Sequence, residues 1–457
     1  MDERQIKELE KIVGREHVLS SAEDLISYSF DGTFTESCPD VVVLPFSTEE
    51  VAAVMALADR YGTPVIPRGM ASGLAGGSVP IGGGIALSLT RMNRLVEIDQ
   101  DNMTATVEAG VITADLQRAV EALGLFYPPD PSSVKQSTIG GNVACNAGGP
   151  RCLKYGVTGD YVQGLTFVTA AGAVIKTGGK FIKNVTGYNL QALLVGSEGT
   201  LGIITEIIVR LASKPRIVRT AMAVFNKLDD ASRAVNAVLQ KGIVPATLEM
   251  MDGTSMQCIE EAMHLGLPVD KEAMLIIECD GNHEAAVVQE MQTLAEACRS
   301  EGAADVTVAQ SESERSELWR ARRSVSPSLA RKAPNKLGED ISVPRSMIPE
   351  AVRRIQQAAE RCGLTIAVFG HAGDGNLHPN ILFDRRDEEQ RKRAEQAADE
   401  IFRIALDLQG TLSGEHGIGI MKKPYMEADI GAVSMAFQRG IRTVFDPKGL
   451  LNPGKIY

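Results

Sequence analysis

Six histidines occur in 457 residues, and three of them, His371, His378 and His416, fall in two glycine-bracketed motifs, GHAGDGNLHPN and SGEHGIG. An imidazole accepts protons near neutral pH and binds divalent metals through a neutral nitrogen. Asp374-Gly375 is a strong two-residue hairpin signal. With that turn, 373 pairs with 376, 372 with 377 and 371 with 378, so the expectation is that His371 faces His378 with Cβ atoms about 4.5–5.5 Å apart. Period-2 alternation adds Asn376 and Asn380 to the same face. Two opposed imidazoles suit a divalent metal that takes a third donor, and Glu415 of SGEHGIG is the obvious one. Three protein ligands leave coordination positions open for a substrate, and nitrogen and oxygen donors suit zinc, iron or manganese. The same spacing also fits a surface hairpin whose histidines only hydrogen-bond; Glu415-His416 in a second polar motif weighs toward the metal.

Glycine marks a second kind of site. RGMASGLAGG (68–77), GGG (82–84), PDPSSVKQSTIGGNVACNAGG (129–149) and GSEGTLG (196–202) strip side chains from the backbone at polar turns. Bare backbone can approach a ligand closely, and its N–H groups form nests for anions such as a pyrophosphate. Any one cluster reads equally well as a tight turn. Their repetition within one region does not. No GxGxxG closes a first strand, so the pattern is not a Rossmann fingerprint.

The elements that must carry these motifs fall into two unlike halves, with a boundary near 215. In the first, VVVLPF reads as a buried strand, STEE as a capping box, and VAAVMALADRY as a helix stopped by Gly62. PVIPRG, GIALSL, ATVEAGV, LTFVTAAG and IITEIIVRL read as strands, with a helix at about 114–123 ended by Gly124. After 218, strand–helix–strand units recur, which predicts an antiparallel sheet with helices on one face. IPEAVRRIQQAAERCG reads as a helix. Composition bounds the rest: 44% hydrophobic and 23% charged residues are globular values, and a net charge of −11 argues against nucleic acid. Seven cysteines include no CxxC pair, so neither a disulfide framework nor a cysteine-built metal cluster is expected. No secretory signal and no membrane-length apolar run is visible, so the expected location is cytoplasmic.

RGMASGLAGG, DPSSVKQSTIGGNVACNAGG, KYGVTGDYV and GSEGTLGIITE, in that order, resemble the FAD-binding half of the vanillyl-alcohol-oxidase-type flavoproteins. GHAGDGNLHPN, SGEHGIG and DPKGLLNPGK are similar to the glycolate oxidase flavin subunit and to D-lactate and D-2-hydroxyglutarate dehydrogenases. The resemblance spans nearly the whole chain. It implies an α+β, two-domain flavoprotein: an FAD-binding domain of two α+β subdomains over 1–215, and a cap over 216–457 with an antiparallel sheet covered by helices. Residues of about 446–457 are expected to return to the flavin.

Carried over by position, Arg68, Gly69, Ser72, Gly73, Leu74, Ala75, Gly76 and Gly77 are expected to wrap the pyrophosphate. Pro131, Ser137, Thr138, Gly141, Asn142, Ala147 and Gly148 are expected along the ribityl chain and isoalloxazine. Glu198, Gly202 and Ile203 are expected to close the adenine and pyrophosphate side, and Asn452 and Lys455 match the returning segment. The first glycine loop holds no histidine, so the FAD is expected to be non-covalent. The resemblance strengthens the metal reading of His371, His378 and Glu415, and implies His416 as the base that takes the hydroxyl proton. It also implies Arg322 as the cation for a substrate carboxylate, with Ser326, Lys336 and Asn380 nearby.

The resulting expectation is oxidation of a D-2-hydroxy acid of the glycolate or D-lactate class to the 2-oxo acid. The alternatives are a same-fold oxidase of another alcohol and a flavoprotein subunit of a larger electron-transfer complex. Without an internal cysteine cluster, electrons must pass to a separate acceptor, and the resemblance implies an iron–sulfur subunit or an electron-transferring flavoprotein. Cys145 is read as a small packing residue, Trp319 as core, and His17, His264 and His283 as surface or helix-end residues.

Overall fold

The Ser47 side chain accepts the Glu50 N–H and opens a helix over Thr48–Tyr61; Gly62, at φ 68°, closes it in the left-handed conformation that glycine takes without strain. In this computed structural model, which describes residues 1–457, that helix connects parallel strands of a small sheet. Val41–Val43, Ile85–Ser88 and Val65–Arg68 run parallel, with Val18–Leu19 antiparallel at one edge. A second, five-stranded antiparallel sheet follows, in the order Leu95–Asp99, Thr104–Glu108, Ile203–Arg210, Val162–Val168 and Val174–Gly178. The sequence pattern explains the difference: VVV and IALS, apolar but for Ser88, are buried at every position and so on both faces, as parallel strands are.

The chain separates into two units by its internal contacts. One comprises 1–149, 156–214 and 415–457; the other comprises 150–155 and 215–414. The first unit therefore takes in everything from 415 onward, where only about 446–457 was expected to return. The reason is visible in the hydrogen bonds of Gly419 and Ile420. Ile420 N–H donates to Ala75 O (2.8 Å), and a Cβ on Gly419 would stand 2.0 Å from the same oxygen, so SGEHGIG already lies against the first glycine loop. Further on, Val65 N–H donates to Leu450 O and Asn452 N–H to Val65 O, which adds the 450–452 stretch beside the strand Val65–Arg68. Residues 150–155 join the second unit because Lys154 and Tyr155 both bond the Asp280 carboxylate.

The second unit is built on one antiparallel sheet: Ala303–Val308, Ile217–Phe225, Ala273–Gly281, Thr247–Asp252, Thr365–His371, Asn376–Phe383 and Asn335–Gly338 in order, with Ile341–Ser342 also paired to Asn376–Phe383. Helices cover both faces, not one as the repeating units suggested. Gly253–Met263 packs on Glu312–Lys332 over one face, where Met251, Met274, Ile276, Val325, Leu329 and Phe369 form a core. Leu228–Gln240, Glu284–Ser300, Ile348–Cys362 and Glu388–Asp407 pack among themselves and on the same strands. The unbroken burial of Thr247–Asp252 and Asn376–Phe383 requires this, since a one-sided sheet would alternate. No helix is long and apolar enough to cross a membrane.

Asp252 caps the helix Gly253–Met263 by accepting the Ser255 N–H at 2.8 Å. Burial pushes its carboxyl up to about 6, an effect that the bonds from Ser255 only partly offset. The folded chain then holds this proton more tightly than the unfolded chain does. Protonation supports the fold fully below about pH 4, and that support is lost as pH rises through about 6. The loss is on the order of 2–3 kcal/mol. Asp252→Asn keeps a capping acceptor without ionising, so the stability of the variant relative to wild type should rise between pH 4.5 and pH 7.5. Denaturant melts at the two pH values measure it, and equal differences at both would refute the assignment.

Candidate functional site

Within the first unit, three of the glycine clusters, 68–77, 129–149 and 196–202, converge on a single cleft, which GGG (82–84) does not line. Of the twenty residues expected to bind the cofactor, seventeen line it: Arg68, Gly69, Ser72, Gly73, Leu74, Ala75 and Gly77 from the first cluster; Pro131, Ser137, Thr138, Gly141, Asn142, Ala147 and Gly148 from the second; Glu198, Gly202 and Ile203 from the third. Gly76, Asn452 and Lys455 do not line it. Gly76 turns at φ 80° against Ile420, and the other two brace the loops from behind. The Asn452 amide donates to Gly77 O (2.8 Å) and Glu198 O (2.7 Å), and Lys455 Nζ donates to Val79 O (2.8 Å). Burial drives the Lys455 ammonium down to about 8.

Local chemistry fixes the walls. Thr138 accepts the Gly141 N–H and caps a short helix over Ile139–Cys145. Behind it, Thr113, which sequence reasoning did not single out, exchanges hydrogen bonds with Ser137 and accepts one from the Asn142 amide at 2.8 Å. The Arg68 guanidinium donates to Tyr28 O and Phe30 O and lies over the Tyr28 ring. Glu198 spends both carboxylate oxygens on the N–H groups of Ile418 (2.7 Å) and Gly419 (2.8 Å). Burial raises its carboxyl, and those two bonds partly offset the rise. It thereby holds the loop that carries Glu415 and His416, and both of these line the cleft. Cys145 also lines it, with burial pushing its thiol up to about 12, which is the behaviour of a packing residue.

The second unit gathers the other predicted residues on the sheet face beneath Glu312–Lys332. The hairpin register differs from the expected one. His371 stands opposite Asn376 and His378 opposite Phe369, because Ala372–Gly375 form a four-residue connection in place of a two-residue turn. The His371 carbonyl accepts the Gly375 N–H and stops the ladder there. The histidines are thus diagonal neighbours on one face. Their rings meet at 84° with Nε2 atoms 3.4 Å apart. Two nitrogens each about 2.05 Å from a tetrahedral ion stand about 3.3 Å apart, so the pair fits one metal.

Arg322 Nε donates to Glu249 Oε2 at 2.7 Å, and its guanidinium lies over the Phe369 ring at 4.7 Å. Glu249, which stands opposite His371 in the sheet, bonds the His371 Nδ1 with its other oxygen. Burial raises the Glu249 carboxyl, and the His371 and Arg322 charges more than offset this, leaving it below the ordinary carboxylate range. Asp340 is the second acid missed by the sequence reading: it accepts from the Asn376 amide and Ser413, with its Oδ1 3.8 Å from His378 Nδ1. Lys336 Nζ donates to Ser326 Oγ at 2.6 Å, and burial lowers its ammonium. The Asn380 amide donates to His378 O. Trp319 packs on the core and donates to Glu278; His264 and His283 sit at helix ends.

Comparison with known proteins identifies the fold and the cofactor. The family described as FAD linked oxidases, C-terminal domain, matches residues 214–456, and an FAD binding domain matches residues 39–178. This chain belongs to the FAD-linked oxidases. It is an FAD-linked oxidoreductase of the vanillyl-alcohol-oxidase type. It is 45% identical to the glycolate oxidase subunit GlcD of Bacillus subtilis over 99% of this chain and 96% of that one. It is also 37% identical to a D-lactate dehydrogenase of Archaeoglobus fulgidus, over 94% and 95%. Among solved structures, 4-ethylphenol oxidase from Gulosibacter chungangensis superposes with a TM-score of 0.83 at 20% identity, covering 99% of this chain and 96% of that one. At that identity the likeness is one of fold. The cleft wall is tightly packed: a Cβ on Gly69 would stand 2.3 Å from Thr138 Oγ1, so the wall is built without one.

Gly69→Ala should therefore displace the Thr138 cap and weaken flavin binding by at least tenfold, with the second unit undisturbed. Flavin content after purification, read from the 450 nm to 280 nm absorbance ratio, tests it; wild-type content would show that the wall can yield.

Proposed function

We propose that this FAD-linked oxidase converts a small D-2-hydroxy acid, of the glycolate or D-lactate class, to the 2-oxo acid. The observation that carries the reading is His416: it lines the same cleft as the glycine clusters, on a loop clamped by Glu198. The relatives named glycolate oxidase subunit and D-lactate dehydrogenase support the substrate class. The first unit acts as the FAD domain and the second unit as the substrate cap.

The reaction removes a proton from the hydroxyl and a hydride from the α-carbon. His416 takes the proton at a ring nitrogen. Arg322 grips the substrate carboxylate through its two Nη groups, since Nε is held by Glu249. Lys336, Ser326 and Asn380 supply further polar contacts at the acid. Non-covalent FAD, when bound, supplies the hydride acceptor. His371 and His378 hold a divalent metal, zinc, iron or manganese, with Glu415 as third ligand. The ion, when bound, supplies Lewis acidity at the hydroxyl and carboxylate. Electrons then leave for a separate protein, an iron–sulfur subunit or an electron-transferring flavoprotein; relatives named as subunits support such an assembly.

Two measurements test this. Acid precipitation should release the FAD into the supernatant, because the first glycine loop has no histidine to hold it; yellow precipitate would refute non-covalent binding. Chelation, His371→Ala and His378→Ala should each abolish D-acid turnover while flavin stays bound, and added metal should restore only the chelated wild type. His416→Ala should lose activity, by about 10²–10⁴-fold, with metal content intact. Full activity of a metal-free wild type, confirmed by elemental analysis, would remove the metal from the reading.

A further inference from the structure

We infer that Glu249 is a positioning residue that couples the metal-holding imidazole to the arginine that grips the substrate. This rests on the hydroxy-acid reading above. Glu249 sits inside a sheet, in a strand buried at every position, with its side chain wholly shielded from solvent. A carboxylate survives there only when both oxygens are engaged by strong or charged donors. Oε2 accepts from Arg322 Nε and Oε1 accepts from His371 Nδ1.

Each bond does separate work. A proton held on Nδ1 leaves the Nε2 lone pair of His371 facing His378, which is the tautomer a metal needs. Fixing Arg322 through Nε, with its plane over Phe369, leaves the Nη fork for a carboxylate. One acid therefore sets the ligand and the cation together. His378 is backed by a different acid, Asp340, which is held by Asn376 and Ser413, whereas Arg322 bonds Glu249. The two acids are thus predicted to differ: Asp340 supports metal binding alone, Glu249 supports metal and substrate.

Glutamine is the informative replacement. Its amide has one acceptor and one donor end, so it cannot accept from both Arg322 Nε and His371 Nδ1. The test uses the flavin-loaded protein, stripped of metal and titrated with Co(II); oxalate affinity is then measured calorimetrically at saturating Co(II). Glu249→Gln should weaken Co(II) binding at least tenfold. In a double-mutant cycle, the loss of oxalate affinity caused by Arg322→Ala should be at least threefold smaller in the Gln background. Asp340→Asn should weaken Co(II) without changing the Arg322→Ala penalty. Glu249→Asp keeps the charge but withdraws it by one methylene; it should show the same two effects and carries the test if the Gln variant does not fold. Unchanged Co(II) affinity in folded Glu249→Gln, or an equal Arg322→Ala penalty in both backgrounds, overturns the inference. Wild-type protein that binds no Co(II) would instead sink the metal reading beneath it.

Discussion

One amide joins three stretches of chain far apart in sequence. Asn452 donates to Gly77 O and to Glu198 O, carbonyls 375 and 254 residues upstream. The glycine loop and the GSEGTLG turn are not tied by a side-chain hydrogen bond, since Glu198, the one long side chain of that turn, gives its carboxylate to Ile418 and Gly419 instead. A backbone stripped for close approach to a ligand has given up the groups that would have fixed it, and that fixation has to come from elsewhere. Here it comes from the 415–457 segment. Asn452 and Lys455 hold carbonyls of the loops from behind, Ile420 donates to Ala75 O, and Glu198 answers by capping the N–H groups of Ile418 and Gly419. The cleft and the loop bearing His416 thus define each other.

The second unit solves a different problem. Its two histidines stand on a sheet, where strand geometry places side chains without help from loops. Diagonal placement of His371 and His378 brings two ring tips together, while direct opposition would have stacked the rings at their bases. The acids behind them, Glu249 and Asp340, are each excluded from solvent and each satisfied by more than one donor.

Much of this was legible beforehand. Caps, glycine stops and the three polar glycine clusters are local signals, and they located the helix Thr48–Tyr61 and the cleft walls. The hairpin register was not legible, because Asp-Gly promises a two-residue turn, while the longer connection depends on Gly375 packing against Val343, where a Cβ would stand 2.1 Å from the carbonyl. Helices on both faces could have been read from MLIIECDG, whose unbroken apolar run signals burial on two sides. Glu249 and Asp340 gave no signal at all: neither belongs to a spaced motif, and the partners of Glu249 lie 73 and 122 residues away. Thr113 was hidden for the same reason.

The division of the chain also sets an order of events during synthesis. The second unit is almost one continuous stretch, 215–414, so its sheet can close while later residues are still being made. The first unit cannot. Its opening 200 residues leave the ribosome with bare, glycine-rich loops and must wait until residue 455 and its neighbours emerge before those loops are braced. At about 5–20 residues per second, that wait lasts on the order of ten seconds or more. During it, the half that holds the cofactor is the unfinished one, although it was translated first.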